Sequence, residues 1–210
     1  MASGYEGIIW NFLVSHIGNE YGVAGLIGNL YAESGLYPNR LQGDIPYSSK
    51  SVEYTAKVDS GVISEYDFVN KGPGGGGYGL AQWTYKPRKQ GLYDLYQTGY
   101  SSIGSIDLAL DYLWWELNNS YRGVLNVLLS ATSIRQASDI VLHKFENPKV
   151  QTVAVEVYRC SLCQHFYDIY NGTGGDFPVD PDIPIDPDIP EPIFKKKKMP
   201  VWMMCRPVIR

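Results

Sequence analysis

The chain has 210 residues, of which 44% are hydrophobic, and a formal net charge of −4, which suits one domain with a sizeable core plus appendages. Residues 176–194 carry six acidic and no basic side chains, whereas residues 195–210 carry six basic and no acidic ones. The remainder, residues 1–175, is acidic overall, which argues against nucleic-acid binding. Neither a basic, apolar leader nor a run of eighteen apolar residues is present, so no signal peptide or membrane-spanning helix is expected.

Two helices are predicted near the N-terminus. Residues 3–6 have the spacing of a capping box and open the first helix. The second helix ends in Glu33, and Gly35 provides the left-handed residue that stops it. Leu26 and Leu30 share a helix face with Glu33. The negative end of the helix dipole and these apolar neighbours disfavour a charged carboxylate, so we expect Glu33 to serve as a general acid, although the segment alone also fits a surface glutamate.

A small β-hairpin is predicted in the segment that follows the second helix. Residues 51–58 and 62–69 alternate in hydrophobicity, and residues 59–61 suit a turn between two strands. The glycine-rich residues 72–77 then form a connector. They do not match a phosphate-binding loop, because no Gly-Lys-Ser/Thr follows them.

The chain is predicted to be helical from Pro87 to Gly172. Pro87 suits the first turn of one helix, Ser105 caps another, and an Asn-Pro pair follows Glu146 at the end of a third. We therefore predict a mainly α (α+β) fold, with a helical domain at residues 1–172 and the β-hairpin inserted after the helix of Glu33. The predicted helices are residues 87–97, 105–117, 121–129, 132–146 and 150–170.

Two further segments are predicted after this domain. Residues 173–194 contain a repeated Asp-Pro-Asp-Ile-Pro pattern and read as an acidic, proline-rich linker. Residues 195–210 form a tail in which four lysines precede Trp202 and two methionines. Such a tail suits an anionic membrane surface or a partner subunit, or it has no role of its own.

The cysteines do not predict a disulfide framework or a metal site. Cys160 and Cys163 form a single CxxC within a predicted helix, and no second CxxC follows. A buried helix face explains them better than zinc binding does. Redox chemistry is disfavoured too, since a reactive thiolate needs a helix start. No cofactor is expected.

A second motif stands at residues 76–84, Gly-Gly-Tyr-Gly-Leu-Ala-Gln-Trp-Thr. Its small residues let a ligand approach the backbone, and Tyr78, Gln82 and Trp83 offer a hydroxyl, an amide and an indole. A tight turn with a half-buried tryptophan is the plainer interpretation of this motif alone.

The two motifs together resemble the lysozyme superfamily, in particular the phage tail-tip lysozyme family and, more remotely, goose-type lysozymes and soluble lytic transglycosylases. The resemblance rests on the helix ending Ala-Glu33-Ser-Gly, a variable insertion, and Gly-Tyr-Gly-Leu-Ala-Gln82. Lys-Phe-Glu146-Asn-Pro before a long helix is similar to a third landmark of the family. The match covers about residues 5–171 and leaves out the linker and the tail.

The resemblance implies a peptidoglycan-cleaving glycosidase in which Glu33 is the acid. It places Tyr78, Gln82 and Trp83 in the substrate cleft and gives Glu146 a cleft or structural role. A retaining or inverting hydrolase would need a second carboxylate. Asp44 is the first candidate, and the alternatives are Glu53, Glu65 and Asp67. A transglycosylase would need none, because the sugar's 6-hydroxyl attacks.

Two functions of different classes follow. The first is a bacteriolytic enzyme of a bacteriophage, either carried on the virion tail for entry or released from the host cytoplasm as an endolysin. Its substrate would be the glycan strand of peptidoglycan, and its tail could contact other virion tail proteins or a membrane surface. The second is an inactive, lysozyme-like structural or wall-binding module, against which the retention of Glu33 argues.

Overall fold

Helices make up most of the described chain, which in this computed structural model comprises residues 4–71 and 76–172. The predicted linker, the predicted tail and Ser3 of the predicted capping box lie outside the described residues. Within these ranges no helix is both long and apolar enough to cross a bilayer. The helices are α1 Glu6–Ile17, α2 Glu20–Ser34, α3 Ser49–Asp59, α4 Glu65–Lys71, α5 Lys86–Tyr96, α6 Ile106–Asn119, α7 Arg122–Leu129, α8 Ile134–Ile140 with its π-helical continuation Val141–Glu146, and α9 Val153–Tyr170.

The predicted β-hairpin is wrong, because α3 and α4 occupy the two segments read as strands. Ser51, Thr55 and Val58 are the buried residues of α3, and their spacing of four and three is that of one helix face. Val52, which the alternating pattern placed with the apolar set, is half exposed. Only isolated β-bridges occur in the described residues. The turn at residues 59–61 is correctly located, but it joins two helices.

Helix α2 is the centre of the domain and packs against α1, α7, α8 and α9. Two glycines let the neighbouring backbones approach it closely. A Cβ at Gly25 would lie 2.7 Å from the carbonyl carbon of Ala137 in α8, and one at Gly28 would lie 2.5 Å from the backbone nitrogen of Cys163 in α9. Both separations are shorter than a van der Waals contact, so only glycine fits this packing.

The remaining helices lie within a few residues of their predicted positions. Ser105 caps α6 by accepting a hydrogen bond from the backbone N–H of Leu108, and Ser133 caps α8 in the same way. Helix α9 ends with Tyr170, whose ring stacks on Trp10 of α1 at 4.1 Å between centroids. This contact joins the two ends of the described domain. The predicted mainly helical fold is confirmed for the described residues.

Candidate active site

Helix α2 carries Glu33 to the edge of the domain. Asn19 caps the start of the helix by accepting a hydrogen bond from the N–H of Gly22, and Gly35 ends it in the left-handed conformation at φ 61°. Leu26 and Leu30 are fully buried on the face that α2 turns to the core. The Glu33 side chain remains 21% exposed, so its carboxylate is anchored and still reachable from solvent.

Arg159 of α9 joins Glu33 to a second carboxylate. Its Nη2 donates to Oε1 of Glu33 at 2.5 Å, and its Nη1 donates to Oε2 of Glu146 at 2.9 Å. Nη1 also donates to the carbonyl oxygen of Asn29 at 2.9 Å, which fixes the guanidinium against α2. One buried cation therefore holds two carboxyl groups that are far apart in sequence.

Glu146 is placed by an irregular helix end. The π-helical turn Val141–Glu146 closes with Asn147 in the left-handed conformation, and the N–H of Asn147 bonds to the carbonyl of Leu142. Such π turns are frequently found at functional sites. The Glu146 side chain is only 3% exposed, and its Oε1 has no hydrogen-bond partner within the described chain. Burial, and then the neighbouring charge of Glu33, raise the pKa of Glu146 against the opposing effect of Arg159.

The second motif forms a tight turn beside residues 40–42. Tyr78 makes bridge pairings with Leu41 and Trp83, and Gln82 has a positive φ of 46°. The Gln82 side-chain amide donates to the carbonyl oxygens of Arg40 and Gly79, each at 3.0 Å. Gln82 is partly exposed, but in this conformation its amide nitrogen holds the turn together.

Tyr78 and Trp83 are core residues in this conformation, with exposures of 1% and 0%. The Tyr78 hydroxyl bonds to Thr55 of α3 at 2.8 Å. The Trp83 indole N–H donates to Glu116 at 2.7 Å, and Glu116 in turn pairs with Arg88. These contacts support the base of the turn. Their predicted contact with substrate stays a prediction, and it would require the side chains to become accessible.

Asp44, the first candidate for a second carboxylate, is engaged by the start of α3. It is 6% exposed and accepts hydrogen bonds from the backbone N–H and the hydroxyl of both Ser48 and Ser51. Burial alone would raise the pKa of Asp44, but these four hydrogen bonds outweigh it and lower the pKa. The carboxylate therefore behaves as a helix-capping group.

The CxxC motif lies on the buried side of α9. Cys163 is fully buried, its thiol contacts the carbonyl of Gly25 at 3.4 Å, and burial raises its pKa to about 12. Such a thiol is neither nucleophilic nor ready to bind a metal at neutral pH. Cys163 therefore acts as a packing residue.

A separate group of side chains has the residue types of a metal site. Ligand atoms of Asp139, His143 and Glu156 lie within 4.8 Å of one another. Arg135 already pairs with both carboxylates at 2.6 Å, and His143 lies 3.1 Å from Glu156. These contacts engage all three side chains in a surface ion-pair network, so we assign the group no ligand.

Arg159 is the residue that the sequence did not reveal. It stands 126 positions after Glu33 and within an ordinary helical segment, and a single arginine there carries no motif. The sequence offered one indication, namely that Arg159 follows Glu146 by 13 positions with the Asn-Pro pair between them.

Comparison with protein-family models matches residues 5–170 to the model described as phage tail lysozyme. Comparison with curated proteins and with solved structures gave no match.

Proposed function

Because the chain belongs to the phage tail lysozyme family over residues 5–170, we propose that it cleaves the β-1,4 glycan strand of peptidoglycan with Glu33 as general acid. Family membership gives the coarse function, that of a lysozyme-like glycosidase acting on peptidoglycan. The observation that carries the finer assignment is the Glu33–Arg159–Glu146 cluster, in which an accessible carboxyl group adjoins a buried one.

The cluster offers a way to store the proton that the reaction needs. The raised pKa of Glu146 favours one proton within the carboxyl pair near neutral pH. Glu33 is the member that a sugar could reach, so it would transfer the proton to the glycosidic oxygen as the C–O bond breaks. Arg159 would then stabilise the carboxylate that remains on Glu33.

The second step is proposed to use Glu33 again, now as a base. A retaining enzyme needs a second carboxylate ~5 Å from the acid, on the other side of the scissile bond. Glu146 is bound to the same guanidinium as Glu33 and is buried, and Asp44 is committed to α3. Neither carboxylate suits attack on the sugar. Glu33 would instead activate either a water molecule or the sugar's own 6-hydroxyl.

Replacing the acid tests this proposal directly. Glu33→Gln keeps the size of the side chain but cannot donate the proton, so clearing of purified cell walls should fall by a factor of about 100 or more. Glu20→Gln, at the exposed start of the same helix, is the matched control and should clear walls like the wild type. Clearing by Glu33→Gln at the wild-type rate would refute the assignment. A wild type that never clears walls would favour the inactive structural module.

Mass spectrometry of the released fragments separates the possible reactions. A reducing N-acetylmuramic acid end identifies a muramidase, and a reducing N-acetylglucosamine end identifies a glucosaminidase. An anhydro end identifies a transglycosylase. The first two results assign the attack to water, and the third assigns it to the 6-hydroxyl.

The family also favours association with the virion tail over release as an endolysin. We propose that residues 1–172 form the catalytic domain and that residues 173–194 link it to residues 195–210. These last residues would contact another protein of the virion tail or a membrane surface. The charge change from six acids to six bases along residues 176–210 supports a tethered arrangement.

A further inference from the structure

A pocket of about 320 Å³ lies next to the turn that contains Gln82, and three lysines line it. Lys71, Lys86 and Lys89 share this lining with Asn70 and Thr84, and none of the described residues that line it is a carboxylate. A pocket with this composition is unexpected in a domain whose residues 1–175 are acidic overall. Its charge is suited to an anion rather than to a neutral sugar.

Lys89 is the feature of this pocket that most needs explanation. The residue is 1% exposed, and its ammonium nitrogen lies 4.7 Å from the centroid of the Phe68 ring. In the described part of the chain it has neither a hydrogen-bond acceptor nor a carboxylate partner. Burial without a counter-charge lowers the pKa of Lys89 to about 8. A buried ammonium is costly unless an anion or several acceptors compensate it.

Lys71 and Lys86 differ in whether a carboxylate already compensates their charge. Lys71 forms an exposed ion pair with Asp67 at 2.8 Å. Lys86 is exposed at the start of α5 and has no carboxylate partner in the described chain. Lys86 and Lys89 are three positions apart on one helix and so lie on the same side of it. Together they present two uncompensated positive charges to the same pocket.

We propose that this pocket binds an anionic group, a phosphate or a carboxylate, with Lys89 as its buried anchor and Lys86 as its outer contact. The anion would supply the missing partner of Lys89, and Asn70 and Thr84 could add neutral hydrogen bonds. Bacterial walls carry both chemistries, as phosphodiester polymers and as the carboxylates of the peptide stems. The wall as the source of the anion rests on the proposed function, whereas anion binding itself does not.

The proposal is tested by titrating the full chain with inorganic phosphate. Binding is measured by calorimetry and by the NMR signal of the Lys89 side chain. We expect saturable binding that Lys89→Met weakens about tenfold or more, since it removes the buried charge. Lys57→Met, an exposed lysine on α3 outside the pocket, should bind phosphate as the wild type does. Lys89→Met should fold, because methionine fills the apolar site without the cost of burying a charge.

Two further probes distinguish the sources of the anion. Glycerol phosphate that binds more tightly than an acetylated D-alanyl-D-alanine peptide indicates a phosphodiester polymer, and the reverse order indicates the peptide stem. Glu33→Gln should keep phosphate binding even where wall clearing is lost, so the two proposals can fail separately. Absence of saturable binding to all three probes, or equal affinity of Lys89→Met and wild type, overturns the proposal.

Discussion

At the scale of the residue, Arg159 changes the interpretation of Glu33. The helix end and the apolar neighbours of Glu33 suggested an isolated acid, whereas the structure pairs Glu33 with the buried guanidinium of Arg159. Glu146 is the third member of the cluster; it is more buried than Glu33, and burial raises its pKa. The two carboxyl groups and the arginine therefore form one connected unit.

We predict that Arg159→Met moves the alkaline limb of the pH–activity profile upward by about one unit. Arg159 opposes protonation of Glu146, so its removal lets the carboxyl pair retain a proton to higher pH. The profile should be measured with purified walls. Arg122→Met, an exposed arginine at the start of α7, is the control and should leave the profile unchanged. An unshifted profile in folded Arg159→Met would contradict the electrostatic coupling.

Asp44 gives a second prediction at this scale. Because its folded-state pKa is lowered, Asp44 stabilises the fold above its unfolded pKa of ~3.9 and loses this contribution as the pH falls through the folded value. Asp44→Asn should therefore lower the free energy of unfolding at neutral pH by about 1–3 kcal/mol. The difference should shrink below about pH 4.

Wall clearing by the folded fraction of Asp44→Asn separates a capping role from a catalytic one, and it should match the wild type. Glu53→Gln, on the exposed side of α3, is the control for stability and should unfold like the wild type. A stable but inactive Asp44→Asn would instead identify Asp44 as the second catalytic carboxylate.

At the scale of the element, α2 shows how a helix of low intrinsic stability becomes the centre of a domain. Glycine inside a helix costs about 0.5–1 kcal/mol relative to alanine. Gly25 and Gly28 nevertheless allow α8 and α9 to pack against α2 at the backbone, and these are the elements that deliver Glu146 and Arg159. The position of the carboxyl cluster therefore depends on two residues without side chains.

Two glycine substitutions test this account. Gly25→Ala should destabilise the domain by about 1–3 kcal/mol, since the added methyl group would overlap Ala137. Gly123→Ala in α7 meets no heavy atom within 4 Å, so only helix propensity acts there and stability should rise by a few tenths to about 1 kcal/mol. Urea unfolding at neutral pH measures both. A stabilised Gly25→Ala would show that the close packing is not required.

At the scale of the whole molecule, the first and last helices of the helical domain are in contact. The stacked rings of Trp10 and Tyr170 join α1 to the end of α9, and the family match ends at the same residue, 170. We therefore expect residues 1–172 to contain the elements that the stability and the proposed chemistry of the domain require.

We therefore predict that a chain truncated after Gly172 keeps the thermal unfolding midpoint of the domain and clears purified walls at the full-length rate. The family match ends before residues 173–210 begin, so we expect their removal to cost attachment alone. Differential scanning calorimetry and turbidity assays on both chains check this. A large fall in the unfolding midpoint would mean that the segment after residue 172 is part of the fold.

The sequence by itself determined most helix boundaries outside the two wrongly predicted strands, the position of Glu33 at the end of α2, and the family. Caps and stops such as Ser105, Ser133 and Gly35 act within one turn, and local signals of this kind are readable from neighbouring residues. The prediction of a strand at residues 51–58 is wrong because Val52 and its alternating neighbours mimic a strand, whereas burial of Ser51 and Thr55 selects the helix.

Only the tertiary structure decided which charges meet. The contact of Glu33 with Arg159 and Glu146, the capping role of Asp44 and the burial of Tyr78, Trp83 and Lys89 all depend on how helices far apart in sequence pack. Electrostatic interactions depend on distance and burial in space, and neither quantity is encoded in the local spacing of residues. The sequence therefore proposed Glu33 as an acid, and the packing of α2 against α8 and α9 supplied the residues that surround it.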